Sequence, residues 1–222
     1  MSKEAEVERG SLSDIKQIVK LAKQESLGLV VVGGYAVRAY TNKTLRHTKD
    51  IDLAVSKKED IQELKGILRK IGYSVNERPH GLSGYRKERG EAIVVNAIVE
   101  DVKSVRANIK SLYNEEILHN IPVASLEDTL IMKANLWRDR DIIDVCLIVL
   151  DSFNLMDINK LGKRLNIKNF HEGFLASLKK LLELQGTKRF RAVWQDLMGR
   201  KITKQEERTL WQRLSCLAKE LS

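Results

Sequence analysis

The sequence has little sulfur, few prolines and no long apolar run. Two cysteines, Cys146 and Cys216, stand among 222 residues. Neither belongs to a CxxC or Cys/His pattern, and both fall inside apolar helical patterns. That excludes a disulfide framework and a zinc site, and predicts two reduced core thiols. No apolar stretch approaches the roughly 20 residues that a bilayer span requires. The start, Met-Ser-Lys-Glu-Ala-Glu, carries both charge signs and no apolar h-region, which predicts a cytoplasmic chain without a secretory leader or membrane partner. The four histidines, His47, His80, His119 and His171, are scattered without metal-ligand spacing. There is no internal repeat and no low-complexity segment. With 43% hydrophobic and 31% charged residues, the composition is that of a globular protein.

The net charge of +9 is unevenly spread. Residues 151–222 hold 15 lysines and arginines against 8 aspartates and glutamates, so most of the excess lies in the last third. Such a segment suits an anionic partner such as nucleic acid. The alternative is a lysine-rich solvated helical surface.

The first half reads as mixed α/β. Ser13 is placed to cap a helix with Ile15, Ile18, Val19 and Ala22 on one face. Leu29–Val32 is a short β-branched run stopped by Gly33-Gly34, and a short helix-compatible stretch follows. Residues 51–55 alternate as a second strand. Residues 59–71 carry a helical stripe ending at Gly72. Residues 73–77 and 92–99 are further strands. Residues 78–91 read as a polar connection with one short strand around Tyr85. From Ser125 onward the period is helical, with helices expected at about 126–138, 141–152, 157–166, 170–185, 188–198 and 203–221. The expected fold is α+β: a small mixed β-sheet with helices, followed by a helical C-terminal domain. The expected boundaries are 1–122 and 123–222, with 153–222 as a basic helical bundle. Trp137, Trp194 and Trp211 lie among apolar helical neighbours and read as core.

One stretch carries chemistry: Gly33-Gly34-Tyr35-Ala36-Val37, then Arg46-His47-Thr48-Lys49-Asp50-Ile51-Asp52. A strand ends in Gly-Gly and a helix begins, so a phosphate can approach bare backbone and the N–H groups of the helix start. The next strand carries Asp50 and Asp52, and a period of two puts both carboxylates on one face. Side by side they repel unless a cation lies between them, and Mg²⁺ shared with substrate phosphates resolves the repulsion. A phosphate cradle beside a metal-binding carboxylate pair suits phosphoryl or nucleotidyl transfer.

The combined pattern, Gly-Gly followed by Arg-x-Thr-x-Asp-Ile-Asp, resembles the nucleotidyltransferase superfamily with the DNA polymerase β-like fold. Within it the chain is similar to the minimal and AbiEii-like toxin-type members. Residues 125–133 and Arg138-Asp-Arg-Asp141-Ile-Ile-Asp144 look like that group's lysine-bearing helix and its Arg…Asp-x-x-Asp element. The resemblance covers residues 30–150 with gaps. It implies a nucleoside triphosphate substrate bound by Gly33, Gly34, Tyr35, Arg46, Thr48 and Lys133. It implies two Mg²⁺ ions on Asp50 and Asp52, and a catalytic set of Asp50, Asp52, Asn96, Lys133 and Asp141, with residues 123–152 completing the site. An acceptor hydroxyl, on a tRNA-like RNA or a protein, would attack the α-phosphate and expel pyrophosphate. A defence or toxin–antitoxin setting, with an antitoxin partner, follows from the same resemblance. Plain structural readings stand beside these: an ion pair for Arg46, a snorkelling surface position for Lys133, helix capping and ion pairing for Asp141 and Asp144.

The chain departs from the pattern at one place. Active members carry a third carboxylate on a later strand facing the first two, and the matching position here is Asn96. Glu100 shares that face, about 13 Å further along the strand. Two other functions therefore stay open: a catalytically degenerate nucleotide-binding or interaction module, and a small-molecule nucleotidyltransferase of the antibiotic-modifying kind.

Overall fold

The computed structural model describes residues 2–41, 47–48, 50–88, 90–135 and 138–222. They form two compact units, Met1–Ala39 with His47–Ser125, and Tyr40–Arg46 with Leu126–Ser222.

The first unit opens on helix α1 (Lys3–Gln24), capped by Ser2, whose hydroxyl accepts from the Ala5 N–H. The helix therefore begins three turns before Ser13. Its first turns look solvated in sequence, yet Ala5, Val7, Glu8 and Ser11 are buried. At Gly10 the helix comes close to Ile93: a Cβ there would lie 2.5 Å from the tip of that side chain. Strand β1 (Leu29–Val32) is buried throughout, and α2 (Gly33–Tyr40) follows without a linker. Then come β2 (Asp50–Val55), α3 (Asp60–Lys70), β3 (Ser74–Arg78), β4 (Gly81–Glu88), β5 (Glu91–Val99), β6 (Ser104–Lys110) and β7 (Ile117–Ala124). The seven strands make one sheet, in the order β3-β4-β5-β2-β1-β7-β6. β1 runs parallel to β7 and β2 parallel to β5; the other pairs are antiparallel.

The sheet is larger than the sequence suggests. The connection at 78–91 is mostly β4, whose outward residues Tyr85 and Lys87 are exposed and hide the strand signal. β6 is an exposed edge strand with an irregular register between Ala107 and Ile109. β7 contains Pro122 and a left-handed Asn120, which interrupt its alternation.

On one face of the sheet Ile51, Leu53, Ile93, Val95 and Ala97 are fully buried against helices including α1. Two polar ties fix that layer. Buried Asp14 on α1 accepts from Arg86 Nε at 2.7 Å and Nη2 at 2.8 Å, and from the Tyr73 hydroxyl. Buried Glu8 accepts from Arg38 on α2, from the Ser111 hydroxyl at 2.7 Å and from the Leu112 N–H at 2.9 Å.

The second unit is helical: α4 (Leu126–Ala134), α5 (Asp139–Ser152), α6 (Ile158–Ile167), α7 (His171–Leu182), α8 (Lys188–Met198) and α9 (Lys204–Glu220). Its core includes Leu161, Phe174, Leu178, Phe190, Trp194, Leu210 and Leu214. Trp194 and Trp211 are core residues as expected, and Trp137 lies outside the described residues. Cys146 is buried, but Cys216 is exposed, contrary to expectation; it lies off the α9 stripe of Leu210, Leu214 and Leu217 that packs inward. Among the described residues no helix is long and apolar enough to cross a membrane.

Helix α9 starts in a full capping box. The Glu206 N–H donates to Thr203 Oγ1 at 3.1 Å, and the Thr203 N–H donates to Glu206 Oε2 at 2.9 Å. Arg200 adds a two-pronged contact to the same carboxylate, at 2.9 and 2.7 Å. Foremost the Arg200 contact, and then the Thr203 bonds, draw the Glu206 carboxyl down to about 2 from its ordinary 4.5. A carboxyl lowered on folding contributes stability above its unfolded pKa and loses it as pH falls towards the folded value. Glu206→Gln should therefore lower the melting temperature at pH 7, and the gap to the parent should close between pH 4.5 and about 2. Thr203→Ala should cost about 1 kcal/mol. Thermal melts followed by circular dichroism across that pH range check both.

Candidate active site

The antiparallel pairing of β1 with β2 sets Val32 opposite Asp52. The next residue, Gly33, turns the chain into α2 with φ +65°, a left-handed conformation that other residues adopt only with strain. Its missing side chain matters equally. A Cβ at Gly33 would lie 2.1 Å from Asp52 Oδ2 and 2.8 Å from Asp52 Cβ. At Gly34 it would lie 2.5 Å from Thr48 Oγ1. The two glycines thus fit directly against the Thr48-x-Asp50-x-Asp52 stretch, and the two halves of the motif form one contact surface.

The parallel pairing of β2 with β5 sets Asp50 opposite Val94 and Asp52 opposite Asn96. The Asn96 amide Nδ2–H donates to Asp52 Oδ1 at 3.2 Å. Asp50, Asp52 and Asn96 are half-buried, whereas Ile51 and Leu53 point into the core. Among the described residues no hydrogen bond or ion pair holds the Asp50 carboxylate. Across the sheet, Asn96 pairs with Ser83 on β4, and Ser83 with Asn76 on β3. A polar row, Asp52–Asn96–Ser83–Asn76, therefore crosses four strands from the centre of the sheet to its edge. β5 ends at Val99, so Glu100 lies beyond the strand and outside this row.

Thr48 is nearly buried, and its carbonyl accepts from the Tyr35 hydroxyl at 3.3 Å. Tyr35 is fully buried, and that burial pushes its phenol well above the ordinary range despite a hydrogen bond with Ser11. Any contact of Tyr35 with a ligand is therefore through its backbone. Arg46 lies outside the described residues.

Lys133 and Asp141 belong to the second unit. Lys133, 7% exposed, reaches Asp141 Oδ1 at 3.2 Å and Asp144 Oδ2 at 2.8 Å; Arg138 Nε reaches Asp141 Oδ2 at 2.8 Å. The three-residue spacing of the two aspartates does put both on one face, and the lysine lies between them. Lys133 is not a snorkelling surface residue: it is enclosed with its counter-ions.

The sequence reading missed two supports. Glu8 and Arg38 are both buried, and their ion pair fixes the helix that begins at Gly33. The Tyr113 hydroxyl meets His47 Nδ1 at 3.1 Å, next to Thr48. Both join residues far apart in sequence, so local spacing carries no sign of either.

As a donor set, two carboxylates and an amide oxygen suit a hard cation such as Mg²⁺, which is commonly held by one or two carboxylates together with substrate phosphates. Among the described residues no cluster of three or more His, Cys, Asp or Glu is placed to hold a metal. A mixed sheet that sets a glycine turn and the start of a helix beside an Asp-x-Asp strand is the arrangement that the resemblance to nucleotidyltransferases implies. The sequence matches the family described as "Nucleotidyl transferase AbiEii toxin, Type IV TA system" over residues 20–215, and the chain belongs to that family.

Among solved structures, JHP933 from Helicobacter pylori is similar over 100% of this chain and 94% of its own, at 14% identity and a TM-score of 0.55; it shares the fold. ANT(2")-Ia in complex with adenylyl-2"-tobramycin covers 68% of this chain and 92% of its own, at 17% identity and a TM-score of 0.45. The lincosamide antibiotic adenylyltransferase LnuA, lincomycin-bound, covers 59% and 91%, at 18% identity and a TM-score of 0.40. No curated protein matches the sequence.

Two outcomes follow from this geometry. Gly33→Ala should cost about 1–3 kcal/mol in backbone strain alone, before the clash with Asp52. Gly28→Ala, where a Cβ meets nothing within 4 Å, should leave the melting temperature nearly unchanged. Lys133→Ala should cost about 3–5 kcal/mol, because it removes the buried cation that lies between two buried carboxylates, Asp141 keeping its contact with Arg138. A Lys133 variant with lost activity but an unchanged melt would show that the lysine is not a structural counter-ion.

Proposed function

We propose that this nucleotidyltransferase uses Mg²⁺ to move a nucleoside monophosphate from a nucleoside triphosphate to a hydroxyl of an RNA or protein acceptor. The carrying observation is the seating of Asp52 between Gly33 and Asn96. Mg²⁺ bound there supplies charge neutralisation for the attacking and leaving oxygens. The Gly33-Gly34 turn leaves room for phosphate oxygens, and the first N–H groups of α2 attract them. Asn96 orients the Asp52 carboxylate through its amide N–H but brings neither negative charge nor a base. In the transfer, a bond forms between the acceptor oxygen and the α-phosphorus while the bond to pyrophosphate breaks. The acceptor proton leaves to Asp50 or to solvent, since position 96 offers no carboxylate. Arg46, Thr48 and Lys133 remain candidates for triphosphate contacts, and Asp141 for the catalytic set. The toxin family supports an antitoxin counterpart, and the basic last third supports a polyanionic acceptor.

The paired variant Asp50→Asn, Asp52→Asn should keep the parent circular dichroism and lose Mg²⁺-dependent nucleotide binding by calorimetry; unchanged affinity would remove the core of this reading. Asn96→Asp restores a third carboxylate in register with Asp52. It should lower the Mg²⁺ concentration needed for half-maximal transfer or raise the rate. If it folds normally and changes neither, the third ligand comes from elsewhere. Incubation with each of four α-labelled nucleoside triphosphates, total RNA and cell protein identifies nucleotide and acceptor by where the label goes.

A further inference from the structure

Part of the basic excess of the last third borders one groove of the helical unit. The turn after α7 together with α8 and α9 lines an open groove of about 650 Å³, bordered by Arg191, Lys204, Glu207, Arg208, Trp211 and Gln212. Its one carboxylate is already neutralised: Arg191 Nη2 donates to both oxygens of Glu207, at 3.2 and 3.3 Å. Lys204 and Arg208 are exposed and make no hydrogen bond or ion pair with any described residue. Trp211 is 4% exposed, and its indole N–H is buried without a partner.

These groups share one stripe of α9. Lys204, Arg208 and Trp211 follow at intervals of four and three, the spacing that aligns side chains on a helix face. Lys204 and Arg208 are separated by about 6 Å of helix rise, a step comparable to that between neighbouring phosphates of a single strand. We propose that this groove binds the phosphodiester backbone of single-stranded RNA, with Lys204 and Arg208 on adjacent phosphates. A free nucleotide would use the groove alone. An extended polyanion also gains from the net +7 spread over residues 151–222, which favours the polymer. The inference rests on the proposed transfer reaction only where the bound RNA is taken as acceptor; the binding stands apart from catalysis.

The test is fluorescence anisotropy of an end-labelled 20-nucleotide RNA with the full chain, titrated from 50 to 200 mM salt. The parent should bind with affinity falling steeply over that range. Lys204→Ala with Arg208→Ala should weaken binding at least tenfold and flatten the logarithmic salt slope by about 1.4, at roughly 0.7 per phosphate contact. Lys179→Ala with Lys180→Ala removes the same charge from exposed positions outside the groove, and should weaken binding less than threefold. Equal losses from the two double variants, or no RNA binding at 50 mM salt, overturn the groove assignment. So does displacement of the RNA by ATP or pyrophosphate at equal phosphate concentration, which would make this a nucleotide-phosphate site. The paired variant Asp50→Asn, Asp52→Asn should bind RNA as the parent does, so loss of transfer with retained RNA binding separates failure at the carboxylates from failure here.

Discussion

The packing of the Asp52 carboxylate against a glycine that has no side chain to yield is the constraint on which the site depends. β1 and β2 are antiparallel, and their register brings Asp52 to the residue before the turn. Were Gly33 any other residue, its Cβ would lie 2.1 Å from the Asp52 carboxylate oxygen Oδ2. The same residue must take a positive φ for α2 to leave the strand at once. One glycine thus serves the turn, the helix start and the carboxylate. Gly34 repeats the arrangement one step on, against Thr48, and the Tyr35 hydroxyl closes it by donating to the Thr48 carbonyl. Any ligand that contacts the helix start is therefore brought close to Asp52 by backbone geometry rather than by a flexible side chain.

Asn96 follows from the same crowding. In register with Asp52, it faces a carboxylate that is half-buried and has little room to move. A third carboxylate there would add like charge next to Asp52 whenever no cation is bound, and like charges at close range raise one another's proton affinity. An amide removes that repulsion and adds a donor, realised as the 3.2 Å bond to Asp52 Oδ1. Stability without a cation and negative charge for holding one are in opposition at this position. The amide at position 96 favours the first.

What was legible in the sequence follows the range of the forces involved. Periodicity is local, so the shared face of Asp50 and Asp52, the Gly-Gly stop and most helices of the second half could be read directly. Asn96 could be placed only through the family resemblance, because the residues around it, 92–95 and 97–99, are apolar on both faces of the strand. β6 and β7 could not: an irregular register, an exposed edge, Pro122 and a left-handed Asn120 each disturb a period of two. Helix α1 extends to Lys3 because burial by the sheet overrides a start that local composition reads as solvated. The Glu8–Arg38 pair joins residues thirty apart, and nothing in either neighbourhood announces the other.

The helical unit separates its charges in a way that bears on its basic character. Its interior charges come in matched sets: Lys133 with Asp141 and Asp144, and Arg164 with Asp128 at 2.9 Å; buried Glu127 is met at 2.9 Å by Lys160, whose side chain is partly in solvent. Burial imposes that matching, since an unpaired charge taken out of water costs several kcal/mol. A surface cation pays no such penalty and needs no partner. Lys204 and Arg208 are cations of that kind, while neighbouring Arg191 and Arg200 are tied to Glu207 and Glu206. Net charge counted over a sequence does not distinguish these classes, and only the second can act on a ligand in solution. Once interior pairs and capping pairs are set aside, the positive potential of the last third rests on exposed lysines and arginines, and its density near the α9 stripe depends on how few carboxylates remain there to oppose it.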